Sequence, residues 1–344
     1  MKKNLYLRAA AVLLLLCTAL AVLSCSDMVL NDDGTISHKH DTKTGADGSG
    51  TREPLTILPE TETEPPIGFD DDPFKNAEHK LYVDFLNTGK SDCILVRADD
   101  KVILIDTGEN DDFPRIQSAL AGYGITAIDC LILTHYDNDH IGTAARILTE
   151  YPIGEVYMPD YIRASGLYRK LADRLDVTDT VAHRLWGEDV EFDLGCAHLW
   201  INATALPGHE RGKTLGSDVD NTDAEENNFS LITHLTFGDV SILFCGDAEG
   251  DRMDEYMPLW QARGLSTVTL CKIPHHGVSA DKGELAALDI LRPRFCVVHT
   301  DARTSVTGAM VTKMRALFAA PYYTCDGTVV FSSDGSDWNI GSRS

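Results

Sequence analysis

Positive charge is scarce in this chain. Its 344 residues carry 30 Lys and Arg against 53 Asp and Glu, a formal net charge of −23. Affinity for nucleic acid rests largely on Lys and Arg contacts to phosphate, so a general polyphosphate-binding surface is disfavoured. Divalent cations held in a site would offset the acidity only locally. A disulfide framework is also missing. Nine cysteines are present, and setting aside Cys17 and Cys25 leaves an odd seven with no Cys-x-x-Cys pair. Cys93, Cys130, Cys245, Cys271 and Cys296 sit inside apolar runs, where a thiol behaves as a small core residue. No fixed short repeat occurs, and a hydrophobic share of 43% is that of an ordinary globular chain.

The longest apolar stretch is at the N-terminus. Met1-Lys2-Lys3 and Arg8 lead into Ala9 to Leu23, and the stretch closes on Val22-Leu23-Ser24-Cys25. It falls short of the ~20 residues that a spanning helix needs, and the order of charge, apolar run and small residues is that of a targeting signal. The closing residues resemble a bacterial lipoprotein cleavage site, which implies a lipidated Cys25 as the first mature residue; an uncleaved anchor is the competing expectation. Residues 1–25 are thus read as a lipoprotein signal peptide, and the protein is expected outside the cytoplasm, lipid-anchored to the bacterial cell membrane. Residues 26–78 are rich in Asp, Glu, Thr, Gly and Pro without aliphatic periodicity and read as a disordered acidic tether. His38 and His40 lie in it and read as solvated.

From residue 79 to 344 the pattern is α/β, strands and helices in two similar halves. Strands are predicted over 81–86, 93–97, 102–105 and 128–134, helices over 141–150 and 161–176, and a final hairpin over 322–331. Residues 207–228 have no periodicity, and a loop of that length inside a domain reads as a lid or as disorder.

The most informative stretch is Leu131-Ile-Leu-Thr-His-Tyr-Asp-Asn-Asp-His-Ile-Gly-Thr143. A buried strand ends there in His135, Asp137, Asp139 and His140. Imidazole nitrogens and carboxylate oxygens suit divalent cations such as zinc or manganese. These four are too closely spaced for a regular element to aim at one point, whereas a strand-to-helix loop can curl to do so. Polar residues recur at other strand ends: Asp106, Asp247, then His275 and His276. In α/β architectures those ends are where sites are built.

Ile105-Asp106-Thr107-Gly108, His-x-Asp-x-Asp-His, Gly246-Asp247 and Pro274-His275-His276-Gly277 stand in the order seen in metallo-β-lactamase-fold hydrolases. In Phe85 to Asp92, Asn227-Asn228-Phe229-Ser230, Cys245 to Glu249 and Lys272 to Gly277, the domain resembles the branch represented by the extracellular domain of the DNA-uptake channel ComEC. The resemblance covers nearly all of residues 80–331. It implies a four-layer αβ/βα sandwich and one or two divalent metal ions. His135 and Asp137 would hold a first metal, and Asp139 and His140 a second, with Asp247 bridging. One of His275 and His276 would complete the second site, and Asp106 would orient the cluster without binding metal. Asp139, His275 and His276 are the residues expected to handle protons. Asn228, His299 and Lys272 are further candidates: Asn228 near a usual ligand position, His299 as ligand or proton donor, Lys272 facing the rim to hold an anionic substrate.

Two departures weaken the first metal position. Asp137 stands where the family commonly has histidine, and Asn227 and Asn228 stand where a further histidine is usual. His209 in Pro207-Gly208-His209 imitates that missing motif but lies about twenty residues early. The implied activity is metal-dependent hydrolysis of a phosphodiester, nuclease-like, on nucleic acid or a cell-envelope polymer. Another ester or lactam is the alternative substrate, and a non-catalytic, metal-stabilised surface binding module is the alternative of a different class.

Overall fold

The computed structural model describes residues 72–343 apart from 206–207 and 216–225, together with two short strands nearer the N-terminus. Those two, β1 (Met28–Leu30) and β2 (Ile36–His38), pair antiparallel within the segment read as a structureless tether. The segment read as a signal peptide, with Cys25, lies outside the described residues, as does half of the long loop read as a lid. The folded unit starts earlier than residue 79. Phe74 is buried, and Tyr82 Oη donates to Asp72 Oδ2 at 2.5 Å. Among the described residues no helix is long and apolar enough to cross a membrane.

Two sheets carry the domain. The first holds β3 (Leu81–Phe85), β4 (Ile94–Ala98), β5 (Lys101–Ile105), β6 (Ile128–Ile132), β7 (Ile153–Pro159), β8 (Val181–Leu185), β16 (Thr328–Ser333) and β17 (Trp338–Arg343), in the order β17-β16-β3-β4-β5-β6-β7-β8. The second holds β9 (Asp189–Leu194), β10 (Ala197–Asn202), β11 (Ile232–Phe237), β12 (Val240–Phe244), β13 (Leu270–Lys272), β14 (Phe295–Val298) and β15 (Ala320–Tyr323), in the order β15-β14-β13-β12-β11-β10-β9.

Each sheet is buried on both faces, which is why its central strands read as continuous apolar runs. Side chains alternate across a strand. Val83 and Phe85, Ile103 and Ile105, and Ile242 and Phe244 therefore meet between the sheets. Leu95, Leu104, Leu131 and Leu133 point the other way, onto α1 (Phe113–Gly122), α3 (Ala144–Glu150) and α4 (Gly166–Leu175). On the far side Leu243, Cys271 and Cys296 meet α5 (Gly250–Ala262), α6 (Lys282–Leu291) and α7 (Gly308–Ala316). The result is the four-layer αβ/βα sandwich. All five cysteines assigned to the core are buried.

Two elements depart from the sequence reading. The predicted hairpin over 322–331 does not form: β15 and β16 belong to different sheets, and β16 pairs with β17 and β3 instead. A short 3-10 turn at Thr324–Asp326 and Gly327 at φ 135° carry the chain across. The helix expected over 161–176 begins only at Gly166, capped by Ser165, whose side chain accepts from Tyr168 N at 3.0 Å. Residues 161–165 are left as a loop.

Candidate metal centre

The parallel strands β5, β6, β12, β13 and β14 all end toward the seam between the halves, and each delivers a polar residue just past its last apolar position. Asp106 follows β5 and His135 follows β6. Asp139 and His140 sit in the short helix α2 (Asn138–Ile141), whose single turn bends the motif back on itself. Asp247 follows β12, His276 follows β13 and His299 follows β14. The halves touch closely here: a Cβ on Gly246, at φ 53°, would lie 2.8 Å from Thr134 Cβ and 3.1 Å from Ser230 Oγ. Only glycine fits that turn and that approach.

Donor atoms of Asp139, His140, Asp247 and His276 all lie within 4.8 Å of one another. His140 Nε2 is 3.3 Å from Asp247 Oδ2, and His276 Nε2 is 3.1 Å from the same oxygen and 3.4 Å from Asp139 Oδ2. Four ligands at 2.0–2.1 Å around one tetrahedral centre stand about 3.3 Å apart. Both imidazole Nε2 atoms are buried and make no hydrogen bond, although buried polar atoms are nearly always partnered. Orphaned nitrogens beside two carboxylates are what a divalent cation requires, so these residues fit a metal.

Behind the donors lies a layer that aims them. Asp106, at φ 56°, accepts from Thr134 N at 2.8 Å and Thr134 Oγ1 at 2.7 Å. Its Oδ2 also sits 2.7 Å from His140 Nδ1. A carboxylate only accepts, so a proton stays on His140 Nδ1, and Nε2, aimed at the centre, is the nitrogen a bound cation would take. Asp92 is the counterpart for the second half, 3.5 Å from His276 Nδ1 and 3.0 Å from His299 Nδ1. Burial disfavours the His140 imidazolium, but Asp247 and Asp106 outweigh it and raise its pKa well above the usual histidine range. Burial likewise opposes ionisation of Asp247, yet His276, His140 and Lys272 hold its carboxyl well below the usual range.

The candidates fall into separate places. His276 joins the donor set; His275 turns into the cleft and pairs with Glu249 Oε1 at 3.1 Å. Both histidines have positive φ, 44° and 54°, a conformation costing on the order of 1–3 kcal/mol per residue, and this loop conformation separates the two rings. Lys272 does not face the rim. It is fully buried, donates to Gly246 O at 2.7 Å, and lies 2.5 Å from Asp92 Oδ2 and 3.3 Å from Asp247 Oδ1. Its charge neutralises buried carboxylates, so it is closed to substrate. Asn228 points elsewhere as well: its Oδ1 accepts from Arg252 N at 3.2 Å, at the start of α5. His299 lies behind Asp92, against the Phe85 ring, outside the converging donors. His209 stacks edge-on against Phe229 at 5.2 Å.

His135 and Asp137 form a second, different cluster. His135 Nε2 is 3.5 Å from Asp137 Oδ2, while its Nδ1 lies 3.1 Å from Thr134 Oγ1 and 3.4 Å from Ser230 Oγ. Arg163 Nη1 donates to both Asp137 Oδ1 and Glu226 Oε2. Glu226 is held by Tyr161 Oη at 2.7 Å, and burial, opposed by Arg163, raises its carboxyl pKa to about 7. Arg163 and Glu226 carry no local sequence signal. One was read into a helix and the other into a formless loop, and only tertiary packing brings them to Asp137. Asp92 sits in a quoted motif, Phe85 to Asp92, but its role needs Lys272 and His299 beside it.

Above the centre an open cleft is lined by Lys90, Asp137, Asn138, Asp139, Arg163, Asn227, Asp247, Glu249 and His275. Lys90 Nζ stands 3.7 Å from Asp139 Oδ2.

Comparison with known proteins agrees with this geometry. Residues 86–214 match the model of the metallo-beta-lactamase superfamily. Recombination protein 2 of Haemophilus influenzae is 26% identical over 228 residues, 63% of this chain and 24% of that protein. ComE operon protein 3 of Bacillus subtilis is 24% identical over 234 residues, 63% of this chain and 28% of that protein. Hydroxyacylglutathione hydrolase of Edwardsiella ictaluri is 32% identical over 117 residues, 34% of this chain and 32% of that protein. The chain thus spans about a quarter to a third of the length of these relatives. With its sandwich, its His-x-Asp-x-Asp-His loop and the donors converging from both halves, the domain has the metallo-beta-lactamase fold and is similar to that superfamily over residues 86–214.

Proposed function

We propose that the protein is a phosphodiesterase of the ComEC-like branch, tethered outside the cytoplasm through Cys25 and acting on nucleic acid or an anionic cell-envelope polymer. The observation that carries this reading is the placement of two cations, Lys90 and Arg163, on the rim of a cleft over the four-donor centre. In a chain of net charge −23, two cations on the rim of a cleft whose floor would hold a divalent ion are arranged for an anion.

A divalent ion bound by Asp139, His140, Asp247 and His276 would lower the pKa of a coordinated water and polarise the electrophile's oxygen. The chain supplies the rest. Asp106 holds His140 in the orientation that aims Nε2 inward, and the Asp92 carboxylate lies 3.5 Å from His276 Nδ1. Lys90 is positioned to meet one substrate oxygen, and the Asp139 carboxylate beside it to orient the attacking water. His275, paired with Glu249, is the imidazole in the cleft and supplies the proton for the leaving oxygen.

The test is a substrate panel on chelator-stripped and reloaded protein: bis-p-nitrophenyl phosphate, a glutathione thioester and a chromogenic β-lactam. Turnover of the phosphodiester that exceeds both others and needs added zinc or manganese is the expected result. Preference for the thioester would favour the activity named by the hydroxyacylglutathione hydrolase relative. Metal binding with no turnover of any ester would favour a surface binding module.

A further inference from the structure

We propose that the Arg163 guanidinium takes the place of a first metal ion, so that the centre holds one divalent cation beside one fixed organic cation. The inference rests on the superfamily reading of the neighbouring four-donor site. Two carboxylates of metal-ligating type, Asp137 and Glu226, both accept from Arg163 Nη1, and His135 Nε2 stands 3.5 Å from Asp137 Oδ2. A guanidinium suits such a position because it is permanently charged and weakly hydrated, and its forked donors match carboxylates.

The arrangement is built into the fold rather than left to a free side chain. The loop bearing Arg163 is pinned on both sides: Asp160 N donates to Leu185 O at 2.8 Å, Ile162 N to Lys213 O at 3.0 Å, and Leu215 N to Ile162 O at 3.1 Å. The neighbouring Tyr161 is fully buried, donates to Glu226 Oε1, and accepts from Tyr136 N at 3.1 Å. The Arg163 side chain is 21% exposed, enough to present an edge to the cleft. It offers a bound anion one positive charge where a metal would offer two. It also accounts for Asp137: a carboxylate at this position neutralises a guanidinium, which an imidazole cannot.

The test is metal stoichiometry. Chelator-stripped protein is titrated with zinc by calorimetry, and metal retained after gel filtration is measured by mass spectrometry. The wild type is expected to keep one equivalent per chain. Arg163→Ala and Arg163→Gln, which release His135, Asp137 and Glu226, are expected to keep two, and Arg163→Ala combined with Asp137→Ala to return to one. A wild type that keeps two equivalents overturns the proposal without reference to any variant, as do folded Arg163 variants that stay at one. A wild type that keeps none overturns the metal-centre reading itself.

Discussion

Asp106 Oδ2 lies 2.7 Å from His140 Nδ1 and accepts from Thr134 Oγ1 at the same distance. One carboxylate, held in a left-handed conformation at the end of β5, thereby fixes both the tautomer and the direction of a metal-facing imidazole on the neighbouring strand's loop.

Removing that carboxylate should weaken metal binding without removing a ligand. Asp106→Ala is expected to lower metal affinity about 10–100-fold, read by competition with a chromophoric chelator. Unchanged affinity in a folded variant would mean that His140 is aimed by something else.

Lys272 separates two readings of a strand-end lysine. As a buried partner of Asp92 and Asp247 it belongs to stability. Breaking such a pair strands buried charge and costs about 3–5 kcal/mol. Lys272→Met should therefore shift the urea unfolding midpoint of the metal-free protein strongly. A raised KM with an unchanged midpoint would restore the substrate-holding role that its sequence position suggests.

His275 and His276 should divide their labour. His276→Ala removes a donor and is expected to abolish stoichiometric metal retention. His275→Ala should retain metal and lose about 10²–10⁴-fold in kcat, the usual reach of a general acid, most severely for substrates with poor leaving groups. Loss of metal from the His275 variant would reassign the pair.

Away from the centre, His234 gives a pH signature. It is buried against Trp260 with Nε2 2.8 Å from Ser241 Oγ, and burial, reinforced by His198 and Arg263, lowers its pKa to about 4. The unfolded chain binds this proton near pH 6.5, so the contribution of neutral His234 is complete above that value and is lost as pH falls toward 4. Between pH 7 and pH 5 the loss is about 2 kcal/mol. The stability difference between wild type and His234→Gln, from urea unfolding at the two pH values, should narrow by that amount. A constant difference would show that His234 is not buried neutral.

The sequence made the sandwich legible because buried strands and their terminal ligands are local patterns. The apolar run ending in His135 to His140, and Gly246-Asp247 after β12, mark strand ends before any packing is known. What stayed hidden depends on distance through space. Nothing local distinguishes His275 from His276, since only their positive φ values turn one ring inward. Lys272 at a strand end reads as exposed until Asp92 is placed against it. Arg163 reads as one residue of a helix because Ser165, the actual cap, is a weak signal among residues 161–176. The strand partners of β15 and β16 were missed for the same reason: a short connection predicts a hairpin unless its residues cross between sheets.

The most direct measurement is anomalous diffraction from crystals of metal-loaded protein. The expected result is a peak about 2.0–2.2 Å from a carboxylate oxygen of Asp139, His140 Nε2, a carboxylate oxygen of Asp247 and His276 Nε2. A peak bound instead by His275 or His299, or loaded crystals with no peak among these four residues, would contradict the assignment of the centre.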